Sequence, residues 1–300
     1  MLGRRELLAA GLLAGGVGLS AQASTLLARA IPRTGERIPA VGLGTWLTFD
    51  VPITDAAALA QRQAVVDRFL AGGGRVVDSS PMYGHAESVL GETLPRDAAR
   101  VFAVGKVWTP APLYGPTQMR RSMRQWRRTQ MDVMLVHNLL AWRGHLKTLR
   151  EWQGEGRVRL VGISTSHGRA HDEVAEIIER ERGIDVLQIT YSPADRSAEP
   201  LLVRAAALGL AVIVNRPFDG GDLLARLARV PLPPVAAELG CAHWATLVLK
   251  WELAHPAVTV AIPATTNPEH AAQNLAALRG ALPDARQRET IWRAMAGAVA

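Results

Sequence analysis

Four polar side chains end or follow short apolar runs, and their chemical types suit proton transfer to a carbonyl oxygen. Asp78 ends RVVD, Tyr83 follows in SSPMYG, Lys106 lies in VFAVGKVW and His137 ends DVMLVH. A free phenol has a pKa of about 10 and donates a proton poorly at neutral pH, so we expect Lys106 to lower the pKa of Tyr83. Asp78 would hold the lysine. His137 would donate a hydrogen bond to the oxygen on which an alkoxide forms.

Each of these residues also has a purely structural explanation. Asp78 could cap a helix, Tyr83 could be a loop aromatic, and His137 could be a hydrogen-bonded core histidine. Lys106 is harder to explain in this way, because the chain uses arginine almost everywhere and contains few lysines. A guanidinium stays charged and forked, whereas a desolvated ammonium is a compact charge that can tune the proton affinity of a neighbour. The lysine therefore favours a chemical role for the group.

The elements that must position these residues alternate along the chain. Short β-rich apolar runs are followed by longer amphipathic stretches, as in the repeated strand–helix units of a parallel sheet. The predicted strands are 41–46, 75–80, 101–107, 132–138, 158–164, 185–192, 210–216 and 258–264. The predicted helices lie near 55–71, 85–94, 117–129, 142–154, 169–182, 197–208, 235–254 and 267–278, with a last helix after Pro283.

Eight such units predict an α/β fold of the (β/α)8 TIM-barrel type, as a single domain over 24–300. A barrel leaves no sheet edge, because its last strand pairs with its first, whereas an open doubly wound sheet leaves two edges. The carboxyl ends of all the strands of a barrel meet at one cleft. The four polar residues are therefore expected to share that cleft.

The first residues are typical of a targeting segment rather than of a folded domain. Residues 1–23 combine paired arginines at positions 4 and 5, an apolar run over 7–19 and the sequence AQA before Ser24. That run is shorter than the roughly 20 residues of a membrane-spanning helix, so we predict a signal peptide cleaved after Ala23 and no membrane span thereafter. The arginine pair resembles a twin-arginine signal. We expect the protein to fold in the cytoplasm, where any cofactor would be loaded, and then to be exported by the twin-arginine machinery to the periplasm or beyond.

Composition and charge exclude other classes of function. With 48% apolar and 20% charged residues, the 300-residue chain can bury a large core. The net charge of +7 comes from scattered arginines, and the densest group, over 120–128, lies opposite Met119 and Met123 at helical spacing. No basic stretch is interleaved with aromatics, so no nucleic-acid partner is expected. The single cysteine, Cys241, can form no internal disulfide, and its neighbours predict a buried helix.

Seven motifs, in order along almost the whole of 24–300, resemble those of the aldo/keto reductases. This resemblance implies a (β/α)8 barrel that reduces aldehydes or ketones to alcohols, with NADP(H) favoured as cofactor and NAD(H) as the alternative. Tyr83 corresponds to the general acid of the family. Lys106 and Asp78 correspond to the residues that tune the proton affinity of this acid, and His137 corresponds to the residue that orients the carbonyl. The motifs are GLGTW at 42–46, Asp78 followed by SSPMYG at 79–84, GKVW at 105–108, LVHN at 135–138, GIST at 162–165, LQITYSP at 187–193 and IPATTNPEHAAQN at 262–274.

The resemblance also implies which residues contact the cofactor and the substrate. Ser164 and Gln188 resemble the pair that hydrogen-bonds the carboxamide of the nicotinamide ring. Trp46 and Trp108 resemble walls of the substrate pocket. The full set of implied cofactor contacts is Thr45, Ser164, Gln188, Arg216, Thr265, Gln273 and Asn274, of which the last three resemble contacts to the adenosine end.

Several positions depart from the family pattern. Many members stack an aromatic ring on the nicotinamide from the seventh strand, whereas this chain has Asn215 and Arg216 there. Arg216 could cover that ring, reach the pyrophosphate or pair with a carboxylate. Ala264 and His270 stand where the family places basic residues that bind the 2′-phosphate, and Thr165 stands where many members have asparagine. The choice between NADP(H) and NAD(H) is therefore the least secure implication of the resemblance.

Two rival functions remain open at this stage. The first is a cofactor-binding regulatory or redox-sensing protein on the same barrel, with little turnover. The second is a metal-dependent barrel hydrolase built on Asp78, His85 and His137. No metal site is predicted, because His167 and His171 share a helix face without a third ligand. We expect a monomer that acts on a small-molecule carbonyl substrate.

Overall fold

The barrel is closed by backbone pairing between its first and last strands. The computed structural model describes residues 25–299, in which eight parallel strands pair successively in chain order. At the junction, the amide of Gly44 donates to the carbonyl oxygen of Pro263 at 2.9 Å. A β-carbon on Gly44 would lie 2.8 Å from the carbonyl oxygen of Ile262, so only glycine allows this close approach. The predicted (β/α)8 barrel is confirmed.

A short antiparallel hairpin precedes the barrel strands. Its two strands pair Ala28 with Pro39 and Ala30 with Arg37. The strands are β1 (Ala28–Ala30), β2 (Arg37–Pro39), β3 (Leu43–Gly44), β4 (Val76–Asp78), β5 (Phe102–Val107), β6 (Met131–His137), β7 (Val158–Ser164), β8 (Val186–Thr190), β9 (Ala211–Asn215) and β10 (Val260–Ala261).

Helices surround the barrel, and capping residues define where several of them begin. Asp55 accepts a hydrogen bond from the amide of Ala58, and Asn267 accepts one from the amide of Glu269, as expected for N-caps. The helices are α1 (Ala56–Ala71), α2 (Ala86–Thr93), α3 (Gly115–Gln125), α4 (Trp142–Gly154), α5 (His171–Arg180), α6 (Glu199–Ala207), α7 (Asp222–Leu227), α8 (Val235–Glu238), α9 (Trp244–Leu253), α10 (Pro268–Ala276), α11 (Ala285–Ala294) and α12 (Ala296–Val299).

The apolar core has two layers. A large cluster fills the space between strands and helices, and a smaller one fills the inside of the barrel. Ile31 and Ile38 of the hairpin belong to the inner cluster, together with residues at the starts of the barrel strands such as Val186 and Ala211. The hairpin therefore closes the amino end of the barrel and leaves the carboxyl end open. Within residues 25–299, no helix combines the length and the apolar character needed to cross a membrane.

The structure differs from the predicted elements in three places. The hairpin and α7 were not predicted from the sequence. The single helix predicted over 235–254 is wrong, because the chain leaves the helix between α8 and α9, where Gly240 has a φ of 65°. Cys241 is buried as expected, but it lies in this break rather than inside a helix.

One buried carboxyl group in α9 lacks a hydrogen-bond partner. Glu252 is fully buried, and neither of its side-chain oxygens has a hydrogen-bond partner. Burial raises the pKa of Glu252 well above its usual range, and the charge of Arg288 offsets this only in part. The folded state therefore favours the protonated form of this group.

We predict that Glu252→Met stabilises the protein, because it removes two unsatisfied buried oxygens at nearly constant volume. The wild-type protein should lose stability as the pH rises above the ordinary glutamate pKa of about 4.3, since the unfolded chain then ionises while the folded chain resists ionisation. The variant should lack this loss. Denaturant unfolding should show a gain of about 1 to 3 kcal/mol for the variant at pH 8, and a smaller gain at pH 5.

Glu252→Gln is the matched control, because it removes the ionisation but keeps a buried polar group. Like the methionine variant, it should lack the loss of stability that the wild type shows as the pH rises. Its gain in the free energy of unfolding should be smaller than that of the methionine variant. A methionine variant that is less stable than the wild type at both pH values would contradict the prediction.

Candidate active site

A buried ion pair joins the carboxyl ends of β4 and β5. The Nζ atom of Lys106 donates to Asp78 Oδ1 at 2.5 Å and to the carbonyl oxygen of Ser79 at 2.9 Å. The second carboxylate oxygen, Asp78 Oδ2, accepts a hydrogen bond from Gln188 Nε2 at 2.8 Å. Burial raises the pKa of Asp78 and lowers the pKa of Lys106, and the attraction between the two groups partly opposes both shifts. The ammonium is therefore more acidic than a solvated lysine would be.

Tyr83 lies against this lysine in the loop that follows β4. Lys106 Nζ is 5.2 Å from the centroid of the Tyr83 ring, and the rings of Tyr83 and His137 meet edge to face with their centroids 6.2 Å apart. The four residues predicted as catalytic therefore lie together.

The expected effect of Lys106 on the phenol is wrong for this arrangement. Burial, and then the charge of Asp78, raise the pKa of Tyr83 above its usual value. Lys106 Nζ lies 5.2 Å from the ring centroid, and its charge is balanced by the carboxylate at 2.5 Å. Tyr83 is thus protonated at neutral pH, as a proton donor must be, although it is a weaker acid than a free phenol.

His137 is neutral. Burial, followed by the charge of Lys106, lowers the pKa of His137 to about 2. Its Nδ1 atom lies 2.8 Å from Ser164 Oγ, so the serine hydroxyl can donate to this nitrogen. In the tautomer in which Nδ1 accepts from this hydroxyl, the ring proton lies on Nε2, where it is available to a carbonyl oxygen.

These groups line or adjoin an open cleft of about 410 Å³ at the carboxyl end of the barrel. Lys106, Ser164 and Gln188 are fully buried behind its walls rather than exposed in it. Trp108 does not line the cleft, and its backbone is hydrogen-bonded to the side chain of Gln118. The predicted site residues that do line the cleft are Thr45, Trp46, Asp78, Tyr83, His137, Arg216, Thr265, Gln273 and Asn274.

Three of the residues expected to contact the cofactor also support the catalytic group. Gln188 binds Asp78, and Ser164 contacts His137, as described above. The hydroxyl of Thr45 lies 2.9 Å from both the carbonyl oxygen of Asp78 and Ser79 Oγ. These side chains therefore hold the acid and its neighbours in place before any ligand binds.

The sequence reasoning missed a buried polar chain below the cleft. Thr190 donates to Asn215 Oδ1 at 2.7 Å, and Asn215 Nδ2 donates to the carbonyl oxygen of Thr165 at 2.8 Å. The sequence did contain a signal for this chain of hydrogen bonds, because Asn215 stands where many family members have an aromatic residue. The amide ties the ends of β7, β8 and β9 together instead of presenting a ring to the cleft.

Two buried polar atoms at or near the cleft are left for a ligand to bond. Thr165 Oγ1 and Asn274 Oδ1 are buried without a hydrogen-bond partner. Thr165 lies beside the catalytic group, whereas Asn274 lines the cleft near α10. Both atoms are suited to the amide of a nicotinamide and the amino group of an adenine, respectively.

The residues proposed for a metal-dependent hydrolase do not gather. His85 Nδ1 lies 3.0 Å from Asp50 Oδ1, outside the group around Asp78. The part of the chain that the structure describes contains no set of three His, Cys, Asp or Glu side chains placed to hold a metal ion.

Comparisons with known proteins agree with this geometry. The chain is 28% identical over 264 residues to the methylglyoxal reductase of Escherichia coli, covering 83% of this chain and 88% of that protein. It is 25% identical over 280 residues to the morphine 6-dehydrogenase of Pseudomonas putida, covering 85% and 87%. An aldo-keto reductase from Klebsiella pneumoniae, solved in complex with NADPH, matches with a TM-score of 0.72 at 25% identity, over 86% of this chain and 92% of that one.

The model of the aldo/keto reductase family matches residues 40–289, from the end of the hairpin to the middle of α11. This span includes the buried ion pair, the phenol, the imidazole and the whole of the cleft. The chain therefore belongs to the aldo/keto reductase family.

Proposed function

We propose that this protein reduces aldehydes or ketones to alcohols with NADPH, and that Tyr83 donates the proton. As a member of its family, the chain is an NAD(P)H-dependent oxidoreductase of carbonyl compounds. The observation that carries the residue assignment is the contact of Lys106 with both Asp78 and the Tyr83 ring at the wall of one cleft.

In this proposal, each residue acts on one atom of the substrate or on its neighbour. The neutral His137 donates from Nε2 to the carbonyl oxygen, and Tyr83 gives its proton to the same oxygen as negative charge develops there. Lys106 positions the phenol, since its ammonium lies 5.2 Å from the centroid of the Tyr83 ring. Asp78 keeps the ammonium in position. The nicotinamide, when bound, supplies the hydride.

The proposed cofactor contacts divide between the two ends of the cleft. Thr165 and the supporting pair Ser164 and Gln188 would bind the carboxamide end, and Asn274 would bind the adenine end. Thr265 and Gln273 line the cleft beside Asn274. Arg216 also lines the cleft, where its guanidinium pairs with Asp219 at 3.0 Å. The NADPH complex of the Klebsiella relative supports NADP(H) over NAD(H).

We also propose that residues 1–23, which lie outside the described part of the chain, direct export of the folded protein and are then removed. The paired arginines at positions 4 and 5 and the short apolar run support this proposal.

Tyr83→Phe should lower kcat for aldehyde reduction by roughly 10² to 10⁴-fold, because the proton donor is lost while the ring is kept. NADPH affinity, measured by fluorescence titration, should not change. Tyr114→Phe is the matched control, since Tyr114 is exposed and does not line the cleft. Wild-type rates in the Tyr83 variant would refute the mechanism. Tight NADPH binding by the wild type without turnover of a broad carbonyl panel would favour a regulatory protein.

NADPH should stabilise the protein against heat more than NADH does. At one hundred times its Kd, a ligand adds about 2.7 kcal/mol of stability, which corresponds to a Tm increase of roughly 5 to 10 °C for a chain of this size. Asn274→Ala should reduce the shift for both nucleotides, because it removes a contact to their common adenine. An equal or larger shift with NADH would contradict the proposed cofactor choice.

Replacing both leader arginines with lysine should block export while keeping the charge of the leader. Twin-arginine recognition needs the guanidinium pair, whereas a general secretory signal tolerates lysine. The amount of mature protein in the periplasm should fall to near zero, as measured by cell fractionation. Unchanged export of the double-lysine variant would show that the leader uses another route.

A further inference from the structure

One rim of the cleft carries more positive than negative charge. Asp219 is shared between Arg216, at 3.0 Å, and Arg226, at 3.5 Å. Arg169 donates to the carbonyl oxygen of Ser166 at 3.2 Å, and no carboxylate in residues 25–299 forms an ion pair with it. Three guanidinium groups thus have one carboxylate among them. We refer to His167, Arg169 and Arg216 as the basic rim.

The imidazole of the basic rim contacts both a guanidinium and a hydroxyl. His167 Nδ1 lies 3.2 Å from Arg169 Nη2 and 2.9 Å from Ser166 Oγ. In the tautomer in which Nδ1 accepts from the guanidinium, the ring proton is on Nε2. Burial, then the charges of Arg216 and Arg169, lower the pKa of His167, against the weaker opposing effect of Asp219. The local potential is positive, and the rim offers N–H groups rather than acceptors.

The basic rim adjoins an aromatic wall of the cleft. The guanidinium of Arg216 lies 5.2 Å from the centroid of the Trp46 ring, and the ring of His167 meets the same indole edge to face at 6.1 Å. Trp46, His167, Arg169 and Arg216 all line the cleft that Tyr83 also lines. An apolar surface and a set of N–H donors are therefore within reach of one small molecule.

The backbone of the basic rim adopts conformations that cost free energy. His167 has a φ of 64° and Arg216 a φ of 51°, both in the left-handed region that favours glycine. A β-carbon on Gly220 would lie 3.3 Å from Arg216 Nη2, so glycine there leaves room for the guanidinium. Such positions persist when the surrounding structure requires them, and they are concentrated at binding sites.

We propose that the basic rim binds a carboxylate on the carbonyl substrate, so that the enzyme prefers carbonyl compounds that carry a carboxylate to neutral ones of the same shape. The planar guanidinium fork matches carboxylate geometry, and the hydrogen bonds to it are charge-assisted. Trp46 covers the apolar part of the same molecule. This inference rests on the proposed function, because it names the substrate class of that site.

The test compares 4-carboxybenzaldehyde with 4-methylbenzaldehyde, which differ in charge but little in shape. The wild type should show a higher kcat/KM for the carboxylate, mainly through KM. Arg169→Gln should lower the ratio of the two kcat/KM values about five- to tenfold, as expected for the loss of one hydrogen bond at a solvent-exposed position. Raising the salt concentration should lower the wild-type ratio, because exposed charges are screened.

Arg182→Gln is the matched control. Arg182 follows α5, whereas Arg169 precedes it, so this variant removes the same charge from the opposite end of one helix. The ratio should not change. NADPH affinity is measured in parallel by fluorescence titration, because the pyrophosphate of the cofactor is the other anion that the rim could bind.

Three results would overturn the inference: no preference for the carboxylate in the wild type, a preference that survives Arg169→Gln, or a loss of NADPH affinity in that variant that matches its loss of kcat/KM. The last result would assign the basic rim to the cofactor. Failure of the proposed function would look different, because the wild type would then turn over neither aldehyde.

Discussion

The site depends on a single ammonium group that is kept out of water. Lys106 is fully buried, and an unpaired charge in such a place would be prohibitively costly. Asp78 and the carbonyl of Ser79 compensate it, and Gln188 in turn satisfies the second oxygen of the carboxylate. These partners come from β4, β5 and β8, so the charge is stable only when the barrel has closed. The electrostatic environment of the site therefore forms only when the barrel folds.

The features predictable from the sequence were those with a local signal. Eight apolar runs separated by helical stretches were enough for the barrel, and lysine in an arginine-rich chain marked Lys106. The hairpin was not predictable in this way, because Ile31 and Ile38 are isolated apolar residues whose burial depends on the closed ring above them. The break at Gly240 was also missed, since a lone glycine in a helical pattern is often tolerated.

The hydrogen-bond partners of the site residues were harder to predict than the positions of these residues in the sequence. Ser164 and Gln188 occur where the family resemblance places them, but their contacts to His137 and Asp78 depend on register between strands that are distant in sequence. The direction of the Tyr83 pKa shift was wrong for the same kind of reason. Proximity of a cation was considered without the desolvation and the opposite charge that accompany it in the fold. Both are properties of the assembled barrel.

The hairpin also determines on which side of the molecule the chain enters. Leu27 donates its amide to the carbonyl oxygen of Leu278, and the strands that follow cover the amino end of the barrel. The first described residues therefore lie on the side facing away from the cleft. A molecule attached to a surface through these residues would keep the open end of the barrel turned outward and accessible to solutes.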